Sequence, residues 1–249
     1  MTHYRASVFG LCAAAFTMAA AAPALGGPKA ILELFTSQGC SSCPPADRLL
    51  GEYADRDDVL VLSFNVDYWD YLGWKDTLAS RDNSDRQRAY AAARDDRDVY
   101  TPQIVVNGRG HIVGSDKKAI DAEIAKSTGL PVPIELSETD DAVTVHVGAN
   151  PSAEKATLWL VLYQRQVSVP VERGENTGKT LTYSNVVRKL RPIAMWNGEA
   201  MNVDLPKSEM EKVKTKRCAV LLQDENDAGQ PGPILGAAML NPARLSPSQ

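Results

Sequence analysis

A chain of 249 residues that is 44% apolar and 23% charged has the composition of a globular protein with a packed core, which excludes disorder on a large scale. Its 27 basic residues stand against 31 acidic ones, a net charge of −4, and no basic patch stands out; nucleic acid is therefore not expected as a partner.

The N-terminus reads as a targeting segment. Arg5 precedes an apolar run from Val8 to Ala22, and Ala22-Pro23-Ala24 offers small residues where a signal peptidase cuts. The run is short for a membrane span and is followed by Gly26, Gly27 and Pro28 in place of a stop-transfer cluster. Residues 1–24 are expected to be a cleaved signal peptide, which makes the mature protein periplasmic or secreted, with no membrane partner afterwards. Cys12 leaves with that segment, so Cys40, Cys43 and Cys218 remain in a compartment where disulfides persist. Three is an odd number, and one thiol is expected to stay unpaired or to pair transiently.

Ala30 to Phe35 reads as a buried strand, followed by the loop Thr36 to Gly39. Pro44 and Pro45 suit the first turn of a helix, where a missing N–H costs nothing, and the helix continues to Tyr53. Val59 to Val66 is a second buried strand, so strand–helix–strand implies a parallel pair with a crossover. Asp67 to Leu78 is irregular and aromatic (Tyr68, Trp69, Tyr71, Trp74), and Asn83 to Arg94 reads as a polar helix. Gln103 to Val106 and His111 to Val113 are short strands around the turn Asn107-Gly108-Arg109-Gly110, and Ser115 or Asp116 caps a helix to about Lys126. The order is βαβαββα with a helical insertion.

Thr128 to Pro133 reads as a linker, and beyond it the period becomes that of strands: 134–136, 143–147, 157–169, 181–190, 200–205, 218–223 and 234–240. This predicts an α/β domain at 28–128 followed by an all-β, sandwich-like domain at 133–245.

Cys40-Ser41-Ser42-Cys43 carries the strongest chemical signal. Two cysteines at this spacing, at a strand-to-helix junction, can close a disulfide with the first sulfur at the start of a helix. The helix's partial positive charge and free N–H groups favour thiolate there. Cys40 is then the nucleophile and Cys43 the thiol that resolves a mixed disulfide. Zinc sites use the same spacing but need a second ligand pair, and the remaining Cys218, His111 and His146 form no second knuckle. A structural disulfide is the bland alternative, although closing so short a loop gains little entropy.

Thr101-Pro102 stands just before a strand and can hold a cis peptide bond. The segment Thr101 to Gly108, with Gly114-Ser115-Asp116, resembles the proline loop and following turn of glutaredoxins. That resemblance implies a groove beside the dithiol in which Thr101, Pro102, Gly114, Ser115 and Asp116 contact an extended or glutathione-like substrate. The stretch from Asp67 to Val99 is longer and more aromatic than in glutaredoxins.

A longer match runs through Glu33 to Ala46, Val66 to Trp74, Gln87-Arg88-Ala89-Tyr90, Tyr100 to Gln103, Arg173-Gly174-Glu175-Asn176 and Asn185-Val186-Val187-Arg188. These strings are similar to a secreted bacterial family of unknown function with an N-terminal thioredoxin-like domain. The resemblance implies that fold and export, not an activity. Thioredoxin-like proteins often carry a buried acid in the first strand, so Glu33 is a candidate proton relay to the resolving thiol; the alternative is a solvated edge acid. Tyr68, Trp69 and Trp74 either line a groove or form the core of the insertion. Cys218 sits in a buried-strand pattern and reads as a small hydrophobe.

The sequence therefore leads to an exported thiol–disulfide oxidoreductase acting on protein or low-molecular-weight thiols and disulfides, glutathione among them, with no cofactor and no metal. The alternative is a thioredoxin-fold binding protein with a structural or idle disulfide. A carrier of a soft ion such as Cu(I) ranks third, because no histidine or methionine lies close to the dithiol in the sequence.

Overall fold

β1 (Ala30–Thr36) and β2 (Val59–Asn65) are buried at every position, as unbroken apolar strands covered on both faces must be. They pair in parallel from Ala30↔Val59 to Thr36↔Asn65, and the crossover between them is helix α1 (Pro44–Ala54). β3 (Gln103–Val106) runs antiparallel on the other side of β1, and β4 (His111–Val113) is antiparallel to β3. Helices α2 (Arg81–Arg94) and α3 (Lys117–Lys126) complete this half. The structure, a computed structural model, describes residues 27–153, 155–208, 215 and 217–240. The signal expected at 1–24 lies outside the described residues, as does 241–245 of the expected second domain.

Alternation along β1 sorts the layers. Leu32 and Leu34 pack with Leu49, Leu50 and Tyr53 of α1 and Ile120 and Ile124 of α3. Ile31 and Phe35 face the opposite way, onto Tyr90 of α2. Helix α2 is polar in sequence, yet it buries Asn83, Ser84, Arg86 and Gln87. It is held by hydrogen bonds: Asn83 Nδ2 donates to the Asn65 carbonyl at 2.8 Å, and Gln87 Nε2 donates to Gln103 Oε1 at 2.8 Å. The aromatic stretch before it is a loop containing one 3-10 turn, Asp70–Leu72, rather than a helical insertion.

The second half is β5 (Ile134–Glu138), β6 (Ala142–Val147), β7 (Ala156–Pro170), β8 (Thr180–Trp196), β9 (Met201–Pro206), β10 (Cys218–Glu225) and β11 (Pro231–Leu240). β5, β6 and β9 form a three-stranded sheet. Val143, Val145 and Val147 of that sheet meet Leu158, Leu160 and Leu162 of β7 and Val220 and Leu222 of β10 across a shared core.

The halves are not successive, separate bodies. Eight strands form one sheet in the order β11-β10-β7-β8-β2-β1-β3-β4. β8 closes the open edge of β2 at Ser63↔Val186. Side chains complete that seam: Ser63 Oγ donates to the Ser184 carbonyl at 2.8 Å, and Asn185 Nδ2 donates to the Val61 carbonyl at 2.9 Å. An uncovered β2 edge would leave a row of unpaired backbone groups, and β8 with these two side chains occupies that edge around Ser63. The stretch read as a linker is also tied down, because Val132 N donates to the Leu235 carbonyl at 2.8 Å.

Candidate functional site

The chain leaves β1 at Thr36 and enters α1 at Pro44, and every residue from Thr36 to Gln38 is fully buried. Gln38 anchors this loop. Its N–H donates to Asp76 Oδ2 at 2.8 Å, its Oε1 accepts from Trp74 Nε1 at 2.8 Å, and its carbonyl accepts from Asn176 Nδ2 at 3.0 Å. Asp76 also accepts from Asn65 Nδ2 at 3.0 Å and from the N–H of Leu78 at 2.8 Å. Burial raises its carboxyl above the ordinary range against those donors.

Cys40 and Cys43 are joined by a disulfide with Cα atoms 5.4 Å apart. Cys43 is the N-cap of α1, with helical dihedrals, and the N–H groups of Ala46 and Asp47 donate to its carbonyl at 2.9 and 3.1 Å. Cys43 is inaccessible, whereas Cys40 keeps 4% exposure, so an incoming thiol can reach only the first sulfur. Ser41 and Ser42 are exposed beside it. The Cys40 carbonyl accepts from Asn176 Nδ2 at 2.9 Å, so one buried amide from the β7–β8 loop pins the backbone on both sides of Gly39.

Thr101-Pro102 is a cis peptide. Ser42 Oγ stands 3.5 Å from both the Thr101 carbonyl and Cys40 Sγ, which places the proline loop against the disulfide. Trp69 Nε1 donates to Thr101 Oγ1 at 2.8 Å. A Cβ on Gly39 would come within 3.0 Å of Trp69 Cβ, so Trp69 leans on the dithiol loop. Tyr71, 76% exposed, stacks on Trp69 with centroids 6.3 Å apart.

Residues 31–223 match the family described as protein of unknown function (DUF1223). The chain belongs to DUF1223. It is 40% identical to an Agrobacterium tumefaciens protein of known crystal structure, a structural genomics target, over 91% of this chain and all of that one, with a TM-score of 0.79. HBP35 of Porphyromonas gingivalis shares the fold at 12% identity, with a TM-score of 0.60 over 91% of this chain and 79% of its own. Among curated proteins none matches significantly.

In this DUF1223 chain the residues expected to form a groove have distinct placements. Gly114 is buried, and its N–H donates to the Pro102 carbonyl at 2.9 Å. A Cβ there would meet Leu34 Cδ1 at 2.9 Å, Pro102 Cβ at 3.0 Å and Ala46 Cβ at 3.1 Å, so its glycine identity serves close packing. Ser115 and Asp116 are exposed, and the Asp116 carboxylate caps α3 by accepting from Ala119 N at 3.0 Å.

Glu33 does not approach the dithiol. Arg86 Nε donates to it at 2.8 Å and the Tyr90 hydroxyl donates to its other oxygen. The cause is parity: Glu33 shares the α2 face of β1 with Ile31 and Phe35, whereas the dithiol helix lies on the face of Leu32 and Leu34. The acid on the dithiol's side is Asp47, in the first turn of α1 and 4% exposed. Thr36 Oγ1 donates to its Oδ1 at 2.7 Å, and burial pushes its carboxyl up to about 8.

Cys218 is free, buried in the β10 core, and burial pushes its thiol up to about 12. Among the described residues, Asp96, Asp98 and His111 bring ligand atoms within 4.8 Å of one another. Arg94 already grips Asp96 at 2.5 Å, and Tyr100 OH lies 2.8 Å from His111 Nδ1, which makes the group an ion-pair network.

Proposed function

We propose that the chain is an exported thiol–disulfide oxidoreductase built on a thioredoxin-like arrangement of β1 to β4 with α1 to α3. The observation that carries this reading is the Cys40–Cys43 disulfide at the N-terminus of α1, with the cis peptide Thr101-Pro102 across from it. Once reduced, Cys40 lies where the helix N-terminus favours its thiolate. That thiolate attacks a disulfide sulfur of a protein or of a small molecule such as oxidised glutathione, and the substrate's other sulfur leaves. Cys43 then attacks Cys40 and releases the bound sulfur. Thr101, Pro102 and the exposed Ser115 and Asp116 border the substrate's path, and Gly114 shapes it by packing.

One observation favours the second reading, a binding protein with an idle disulfide: Cys40 is only 4% exposed, and Asn176 fixes its own backbone carbonyl. The test is a Cys43→Ser variant of the mature protein treated with oxidised glutathione. Exchange chemistry predicts one glutathione trapped on Cys40, found by peptide mass, and none accumulating on the wild type. Absence of an adduct on folded variant would support the idle disulfide.

A further inference from the structure

The buried carboxyl of Asp47, on the helix that carries Cys43, is only half satisfied by its neighbours. Asp47 lies four residues after Cys43 in helical backbone, so the two side chains occupy the same face of α1 one turn apart. That face is buried against the sheet: Cys43 is inaccessible and Asp47 is 4% exposed. Asp47 Oδ1 is satisfied by Thr36, but Oδ2 has no hydrogen-bond partner among the described residues. Asn65 Oδ1 and the Tyr183 hydroxyl, also buried, are without partners too. Buried polar atoms are nearly always paired, so an unpartnered carboxylate oxygen one helical turn from Cys43 calls for a reason.

We propose that Asp47 is the proton donor and acceptor for Cys43 during thiol–disulfide exchange, a role that rests on the redox reading above. An incoming thiolate attacks Cys40 Sγ and forms a new S–S bond. The Cys40–Cys43 bond breaks, and its electron pair goes to Cys43 Sγ. The proton on Asp47 passes to that sulfur, leaving an Asp47 carboxylate and a neutral Cys43 thiol. In the reverse direction the carboxylate takes the Cys43 proton, and the resulting thiolate attacks Cys40 and expels the substrate sulfur. An inaccessible sulfur cannot exchange its proton with bulk water, and a neighbouring carboxyl removes the cost of a buried thiolate.

The surroundings suit the role. Burial is the main cause that raises Asp47 to about 8, the Thr36 hydroxyl opposes it, the Asp76 charge adds to it, and Arg48 on the same helix weakly opposes it. Tyr183 of β8, whose own ionisation is suppressed by burial, adds no charge. The carboxyl is thus protonated at neutral pH while the disulfide is closed.

The experiment measures reduction of the wild-type and Asp47→Asn disulfides by 2-mercaptoethanol between pH 6 and 9.5, with each rate constant divided by the reagent's thiolate fraction. The wild-type constant should fall about tenfold or more as pH rises through 8. Asp47→Asn should be pH-independent, no faster than the wild type at high pH. A flat wild-type profile overturns the proposal, and so does a variant that keeps the fall. Should Asp47→Asn not fold, the wild-type profile still decides. If the folded wild type resists reduction altogether, the redox reading fails and this one with it. Ready reduction with a flat profile sinks only the role of Asp47.

Discussion

At the scale of single residues, the site depends on a few buried polar side chains with several partners each. Asn176 is the plainest case, because one amide bonds the carbonyls of Gln38 and Cys40. Asn176→Ala would take the donor from the buried Gln38 carbonyl and leave the Cys40 carbonyl only the N–H of Cys43 at 3.3 Å, at a cost of about 1–3 kcal/mol. It should also speed alkylation of Cys40 in reduced protein, which iodoacetamide trapping would read directly. Asp47 makes a second residue-scale prediction. Its folded value of about 8 lies above the ordinary 3.8, so the folded state holds a proton that the unfolded chain has lost over that interval. The stability this gives is complete below pH 4, declines as pH rises towards 8, and is flat beyond. Chemical denaturation of the wild type against Asp47→Asn across pH 4–9 should show a steeper decline in the wild type, the remainder in the variant coming from Asp76, which burial also raises. The sequence displays the cysteines and Thr101-Pro102 because their meaning lies in adjacent residue types. Asp47 reads from sequence as an ordinary first-turn acid favoured by the helix dipole. Its carboxyl is close enough to Asp76 and Tyr183, both far along the chain, for their charges to interact, and nothing local signals that.

At the scale of elements, β1 shows why the place of Glu33 was not legible. Both faces of β1 are apolar, so alternation alone does not say which face receives α1 and which receives α2. Glu33 falls on the α2 side and forms a buried pair with Arg86, 0% and 7% exposed. Replacing Glu33 by Ala should destabilise the protein by about 3–5 kcal/mol, because an unpaired guanidinium remains in the core. A melting curve checks this, and the reduction potential of the dithiol should stay unchanged. The aromatic stretch was equally ambiguous by composition. Trp69 and Trp74 donate their indole N–H groups to Thr101 and Gln38, so they brace the proline loop and the dithiol loop, while Tyr71 stays exposed. All seven strands from β5 to β11 were legible, most to within one or two residues at each end, but β8 runs to Trp196 where 190 was expected and β11 starts at Pro231 where 234 was expected.

At the scale of the whole molecule, one eight-stranded sheet runs through both halves. Strand pairing across Ser63 and Val186 joins segments more than a hundred residues apart, and no local pattern announces it. A fragment ending at residue 131 would expose the β2 edge and lose the Tyr183, Asn185 and Asn176 contacts. Such a fragment should fail to give a cooperative unfolding transition, whereas the whole chain should unfold in one, as circular dichroism would show. The same architecture sets the chemistry, because the β7–β8 loop of the second half fixes the backbone of the dithiol in the first. Among the described residues no helix is long and apolar enough to cross a membrane.

A redox role requires Cys40 and Cys43 to exchange electrons with thiols outside the protein. The reduction potential of the pair reads this, measured by equilibrating the protein in glutathione buffers and counting free thiols by alkylation and mass. Exchange chemistry predicts a value of about −120 to −270 mV, with Cys40 the first thiol to react. A value below about −300 mV, or a disulfide that opens only when the protein unfolds, would contradict the account and mark a structural bridge.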